Sequence, residues 1–269
     1  MDSRPIGVFD SGLGGLSAMK ELTALLPNED IIYFGDSARV PYGGRSEETL
    51  IKYAKQDIRF LQSFDIKAIL IACGTVSSIF HLIREDILLP CVGVVESSAE
   101  DAAGKTKNNR IGIIATSATI SSGAFERTLL ERYPEAEIMS VSCPLFVPLV
   151  ENGRFEPGDT VIETVAEEYL SAFRDFGCDT LILGCTHYPL LKRVISGVLP
   201  GVRLIDPGAA SSGALMRLLR EKALLSDRKS GGQVSYHVSD NPGNFSRLGS
   251  IFMGREIDAG FQKVDIEKW

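Results

Sequence analysis

The chain of 269 residues has no Cys-x-x-Cys pair, and its five cysteines form an odd, scattered set, which argues against a disulfide framework and a zinc knuckle. Cys178 and Cys185 lie seven apart, but no second ligand pair accompanies them. The sequence lacks any apolar run near the ~18 residues that a membrane-spanning helix needs. It also lacks an excess of positive charge: the net charge is −7 and the isoelectric point near 5.1, so no electrostatic footprint exists for nucleic acid or an anionic membrane surface. Met1-Asp2-Ser3-Arg4-Pro5 leads straight into Ile6-Gly7-Val8-Phe9 without the long hydrophobic region of a signal peptide, and the expected location is cytoplasmic. A dinucleotide fingerprint is missing too. Gly12 and Gly14 imitate its opening, but the third glycine would fall on Ser17. No lysine stands in a recognisable pyridoxal-phosphate context.

What remains is an ordinary globular composition, 44% hydrophobic and 23% charged, long enough for one large or two medium domains. Strand-length apolar runs alternate with helical-period segments. Strands are expected at Ile6–Phe9, Ile31–Gly35, Lys67–Ala72, Arg110–Ala115, Glu137–Val141, Asp179–Gly184 and Val202–Asp206. Helices are expected at Gly14–Leu26, Glu47–Phe64, Thr75–Ile87, Thr119–Tyr133, Thr160–Phe176 and Tyr188–Leu199. This alternation predicts an α/β protein with parallel sheets and helical crossovers. A weak repeat divides it: each half opens on an Ile-Gly strand and a Ser/Thr/Gly-rich turn, Asp10-Ser11-Gly12 in one and Thr116-Ser117-Ala118-Thr119 in the other. Gly104–Asn109 reads as a junction. A helix at Ala209–Leu225 and a strand at Gln233–Val238 follow, and the pattern alone leaves their destination open.

Two cysteines sit in matching contexts, one per half. Cys73 ends Ile69-Leu70-Ile71-Ala72 and precedes Gly74-Thr75; Cys185 ends Leu181-Ile182-Leu183-Gly184 and precedes Thr186-His187. Each lies at the carboxyl end of a strand and beside a helix start, whose partial positive charge favours thiolate. Two such thiols fit a chemistry that needs an acid and a base of one kind, such as proton transfer on both faces of one carbon. Cys91, Cys143 and Cys178 lack a polar helix start and read as buried small hydrophobes.

Other residues are ambiguous singly. Asp10 suits a helix N-cap or a strand-end site. Val40-Pro41-Tyr42-Gly43-Gly44-Arg45 is a turn that is either plain surface or, through the Gly43 and Gly44 amides, an approach to an anion. Thr75 and Thr186 can cap their helices or hold a carboxylate. His187 is a candidate proton partner for Cys185, whereas His81 and His237 read as structural. Glu151 by itself reads as a solvated loop carboxylate.

Together, Phe9-Asp10-Ser11-Gly12-Leu13-Gly14-Gly15-Leu16, Tyr33-Phe34-Gly35-Asp36, Pro41-Tyr42-Gly43, Ala72-Cys73-Gly74-Thr75, Pro148-Leu149-Val150-Glu151 with Gly153, and Leu183-Gly184-Cys185-Thr186-His187-Tyr188-Pro189-Leu190 resemble the glutamate racemase family, within the cofactor-independent aspartate/glutamate racemase superfamily. The resemblance implies two similar doubly wound parallel-sheet α/β domains facing each other across an active-site cleft, residues 1–97 plus 207–269 and residues 98–206. The tail then returns to the first domain.

The same resemblance implies that Cys73 and Cys185 are the catalytic acid/bases, assisted by Asp10, Glu151 and His187. Ser11, Tyr42, Gly43, Gly74, Thr75, Thr186 and His187, with Asp10 and Thr119, would hold the substrate. It implies glutamate as a small-molecule substrate, no cofactor or metal, a homodimer, and supply of D-glutamate for peptidoglycan. The family usually has Asn where this chain has Gly74, so that side-chain contact is absent. Asn at position 74 is therefore expected to tighten glutamate binding or leave it unchanged. Racemisation of aspartate or another acidic amino acid by the same machinery is the nearest alternative. A two-lobed binding protein would account for the halves but not for the paired cysteines.

Overall fold

The computed structural model describes residues 2–229, 231–257 and 260–269. The strands are β1 (Ile6–Asp10), β2 (Ile31–Gly35), β3 (Ala68–Ile71), β4 (Cys91–Gly93), β5 (Arg110–Ala115), β6 (Glu137–Ser142), β7 (Thr180–Leu183), β8 (Arg203–Ile205), β9 (Val234–Val238) and β10 (Phe261–Lys263). They form two all-parallel sheets, ordered β10-β9-β2-β1-β3-β4 and β6-β5-β7-β8. β1, β2, β3 and β7 are buried along their whole length, as expected of strands covered by helices on both faces. The tail does return: β9 pairs with β2, so both ends of the chain build the first sheet.

The helices show how local sequence sets the frame. Thr160–Phe176 begins where Asp159 accepts a hydrogen bond from the Val161 amide and ends at Gly177 in the left-handed conformation, φ 70°. Ile162, Ala166, Leu170 and Phe173, spaced four, four and three apart, form its buried face. Three expected helices are broken instead, one of them Tyr188–Leu199, which divides into a 3₁₀ turn at Tyr188–Leu191 and a helix at Lys192–Val198. The segment after Cys73 divides into Gly74–Ser78, Phe80–Ile83 and a 3₁₀ turn at Arg84–Asp86. The segment from Thr119 divides into Ser117–Ser121 and Ala124–Arg132, because Gly123 turns left-handed, φ 62°.

Helices Val94–Lys105 and Pro207–Glu221 stand where the chain passes from one sheet to the other. The first was not expected from the sequence, and it runs through the anticipated break between residues 97 and 98.

Register decides where the chemistry falls. β1 lies between β2 and β3, with Asp10 opposite Gly35 and Phe9 opposite Ile71, so Asp10, Asp36 and Cys73 emerge at one carboxyl edge. In the second sheet β5 lies between β6 and β7, and Thr116, Cys143 and Cys185 emerge at its carboxyl edge. Each central strand marks the point where strand order reverses, the usual ligand position in open α/β sheets.

Candidate active site

The two carboxyl edges meet face to face. A Cβ built on Gly74, directly after Cys73, would lie 2.4 Å from the Gly184 carbonyl oxygen and 3.9 Å from Cys185 Cα. One built on Gly14 would lie 2.1 Å from Thr186 Oγ1 and 2.6 Å from His187 Nδ1. Ser17, on the helix after that turn, donates to the Thr186 carbonyl at 2.8 Å. Glycine at 14 and 74 is thus what allows the lobes to close. Asp10, Cys73, Thr75, Thr119, Cys185, Thr186 and His187 are all buried in this closed arrangement.

The thiols, matched in sequence, have different surroundings. Cys73 Sγ donates to Ser11 Oγ at 3.4 Å. Burial, with the Asp10 carboxylate nearby, pushes the Cys73 thiol up to about 12, against the pull of Ser11 and the Val76 amide. That corrects the expectation of a thiol tuned towards thiolate by its helix start. The helix from Gly74 to Ser78 has only five residues, and its dipole is outweighed by desolvation and a neighbouring anion. Asp10 itself accepts from the Gly12 amide at 2.9 Å and from the Thr186 hydroxyl at 3.4 Å. Burial raises its carboxyl, against the lowering effects of His187 and the Gly12 and Gly15 amides.

Cys185 has a cation for a neighbour. Its Sγ lies 3.8 Å from His187 Nδ1, and His187 Nε2 lies 3.0 Å from Glu151 Oε1. Burial draws the imidazole down, but the hydrogen bonds to Cys185 and Glu151 prevail and hold His187 up at about 10. As imidazolium, His187 donates at both nitrogens and stabilises a thiolate at Cys185 whenever that thiol gives up its proton. Phe252, from the tail helix Pro242–Met253, packs edge-on against the His187 ring at 5.2 Å between centroids. Glu151 is the last residue of the helix Phe146–Glu151, hydrogen-bonded to His187, and so differs from the loop carboxylate that its local sequence suggests.

Hydroxyls cluster between the lobes. Thr75 Oγ1 lies 3.1 Å from Thr116 Oγ1, which lies 3.0 Å from Thr119 Oγ1. Neither Thr75 nor Thr186 caps a helix. Thr116 was not singled out from the sequence, although the repeat contained the clue: it follows β5 as Ser11 follows β1. Gly43 reaches the same place, its carbonyl accepting from the Ala118 amide at 3.1 Å. Tyr42 does not bring its side chain there. Its hydroxyl donates to Asp36 and Asp57 inside the first lobe, so its side chain is turned away from the hydroxyl cluster.

Cys143 and Cys178 are buried, as expected, but Cys91 is only partly so. His237 is buried among Phe60 and Phe64, away from the cluster. Among the described residues no group of three or more His, Cys, Asp or Glu side chains could hold a metal ion.

The sequence profile of the Asp/Glu/Hydantoin racemase family matches residues 6–214. The chain is 42% identical to glutamate racemase of Geobacter metallireducens over 271 aligned residues, covering both proteins completely. A crystal structure of glutamate racemase from Francisella tularensis in complex with D-glutamate superposes with a TM-score of 0.93 at 41% identity over all of both chains. Glutamate racemase isoform RacE1 of Bacillus anthracis superposes with 0.92 at 32% identity, covering 98% of each chain.

Two outcomes follow from this geometry. Gly74 is not left-handed, so its side chain is excluded by the Gly184 carbonyl rather than by backbone conformation. A side chain at position 74 meets that carbonyl, so Gly74→Asn should lower the unfolding free energy by about 1–3 kcal/mol as an overpacked site, whatever its effect on glutamate affinity. Chemical denaturation measures this, and an unchanged midpoint would contradict it. The second concerns His187, whose value of about 10 lies above the 6.5 of a free imidazole. Its contribution to stability is therefore complete below 6.5 and disappears as pH rises through about 10. The melting-temperature gap between the parent and His187→Gln should shrink over that window; a gap that widens there would reverse the sign.

Proposed function

The chain belongs to the Asp/Glu/Hydantoin racemase family, and from that premise we propose that it is a glutamate racemase, interconverting L- and D-glutamate without a cofactor. The observation that carries the reading is the approach of two cysteine-bearing strand ends from facing sheets, with Gly74 against Gly184. A single base would have to cross the substrate or exchange its proton with water. Two thiols on opposite faces avoid both.

In the L-to-D direction the Cys185 thiolate removes the Cα proton, and Cys73 returns a proton from its own thiol on the opposite face. The unlike surroundings suit these roles. Burial and Asp10 keep Cys73 protonated and ready to donate, while the His187 imidazolium, oriented by Glu151, supports negative charge at Cys185. In the reverse direction Cys73 is the base, and departure of its proton is assisted by Ser11 and the Val76 amide.

The carbanion formed at Cα needs donors aimed at the α-carboxylate. Thr75, Thr186, Ser11 and the backbone at Tyr42, Gly43 and Gly74 are assigned to hold the two carboxylates, with Thr116 and Thr119 completing the hydroxyl cluster. The division into residues 1–97 plus 207–269 and residues 98–206, a homodimer, a cytoplasmic location and supply of D-glutamate to peptidoglycan belong to the same proposal. Among the described residues no helix is long and apolar enough to cross a membrane.

The direct test is loss of circular dichroism from L-glutamate with no cofactor added, set against L-aspartate. Glutamate should racemise; a preference for aspartate would overturn the substrate assignment. Replacing either cysteine by Ser should reduce racemisation by about 10³-fold or more, because an alkoxide is far less accessible than a thiolate. Elimination from a glutamate analogue with a leaving group at Cβ needs only one proton removal. Cys73→Ser should retain it for the L-type analogue and Cys185→Ser for the D-type. Equal loss on both enantiomers in both variants would contradict one thiol per face.

A further inference from the structure

The loop carrying Tyr42 and Gly43 is held from behind by a buried polar cluster to which the chemistry above gives no role. Arg39 Nε lies 2.6 Å from Asp36 Oδ2, its Nη2 2.9 Å from Asp57 Oδ1 and its Nη1 2.5 Å from Gln56 Oε1. The guanidinium also stacks 4.1 Å over the Tyr53 ring and lies 3.5 Å from Glu267 near the end of the chain. The Tyr42 hydroxyl donates to both Asp36 and Asp57, and Ser239, just after β9, donates to the other Asp36 oxygen at 2.8 Å. Asp36, Arg39 and Asp57 are at most 9% exposed.

The cluster grips the loop along its length. At its base the Ser37 hydroxyl donates to the Asp240 carbonyl at 2.9 Å, and the Ala38 amide donates to Ser239 Oγ at 2.8 Å. Arg39 and Tyr42 fix its middle. Its tip is then free to meet the other lobe, where the Gly43 carbonyl accepts from Ala118 and Gly43 packs beside Thr116.

We propose that Asp36, Arg39 and Asp57 are positioning residues that hold the 37–45 loop as a clasp between the lobes, presenting the Tyr42 and Gly43 backbone to the substrate. The presentation to substrate rests on the racemase reading; the anchoring does not. A planar guanidinium with several donors in fixed directions can tie two carboxylates and an amide at once, which a lysine ammonium does not reproduce. The anchoring residues lie far apart in the chain: Asp36 directly after β2, Gln56 and Asp57 on the helix Glu47–Gln62, and Ser239 and Glu267 in the returning tail. The tail thereby takes part in substrate binding without touching substrate.

Removing Arg39 alone would leave buried carboxylates without a cation and threaten folding. The test therefore uses the double variant Arg39→Met/Asp36→Asn, which removes opposite charges together. Burial holds the Asp57 carboxyl well above its usual range, towards its neutral form. Three quantities are measured: the melting temperature, the rate of tryptic cleavage after the exposed Arg45, and the kinetic constants for L-glutamate. The double variant should melt close to the parent yet be cut after Arg45 about tenfold faster. Its KM should rise about tenfold while kcat stays within about threefold, the pattern of lost binding common to ground and transition states. Cleavage and KM both matching the parent would overturn the proposal. So would a fall in kcat at constant KM. If the parent itself fails to racemise glutamate, the racemase reading falls, and the cleavage rate still decides whether the cluster anchors the loop.

Discussion

The close approach of two parallel-sheet edges is the constraint on which everything else depends. A thiol pair can act on one carbon only if the strand ends that carry it face each other and leave each sulfur about 3–3.5 Å from that carbon, on opposite sides. The lack of a side chain at Gly74, facing the Gly184 carbonyl, and at Gly14, facing the Thr186 and His187 side chains, lets the two edges approach. The parallel registers β1–β2, β1–β3 and β5–β7 bring the right residues to the edge at the same level. The helices Val94–Lys105 and Pro207–Glu221 lie where the chain crosses between the sheets and pack against each other.

On this symmetric frame the electrostatics are asymmetric. Cys73 shares its surroundings with a carboxylate, and Cys185 with an imidazolium that is itself held by Glu151. Burial and its carboxylate neighbour thus hold Cys73 in its thiol form, while Cys185 faces an imidazolium. Asp10 lies within reach of both sides, near Cys73 and hydrogen-bonded to Thr186, so charge on one lobe is felt by the other. A racemase needs the two states to exchange on every turnover. Burial keeps that exchange inside the site, where electrostatic effects are strong.

Much of this was legible in the sequence because strand ends are legible. Ile31–Gly35, Arg110–Ala115 and Thr160–Phe176 have the predicted bounds, since each has an unbroken apolar pattern and clear punctuation. Val94–Lys105 was hidden because its buried face is largely Ser97, Ser98, Ala99, Ala102 and Ala103, small residues selected for close packing rather than hydrophobicity. The strands Cys91–Gly93 and Phe261–Lys263 are three residues each and lie at the edges of the first sheet, only partly buried, so neither has the continuous buried run of β1 or β3. At the site, Cys73 and Cys185 stand out by their matched positions and His187 by its place beside Cys185, whereas Asp10 by itself is as well read as a helix cap. Glu151 and Tyr42 do not stand out, because the role of the first comes from a histidine 36 residues away and the second turns its ring inward. The difference between the two thiols is a tertiary effect, and matched local sequences could not reveal it.

Two thiols acting from opposite faces leave a direct isotopic trace. In deuterium oxide the thiol that donates is already deuterated, whereas the thiol that abstracts holds the substrate's own protium. At low conversion of L-glutamate, mass spectrometry of the separated enantiomers should find D-glutamate deuterated at Cα and the remaining L-glutamate still protiated. D-glutamate that retains the original protium would mean that one base carries the proton across, and would contradict the two-thiol mechanism.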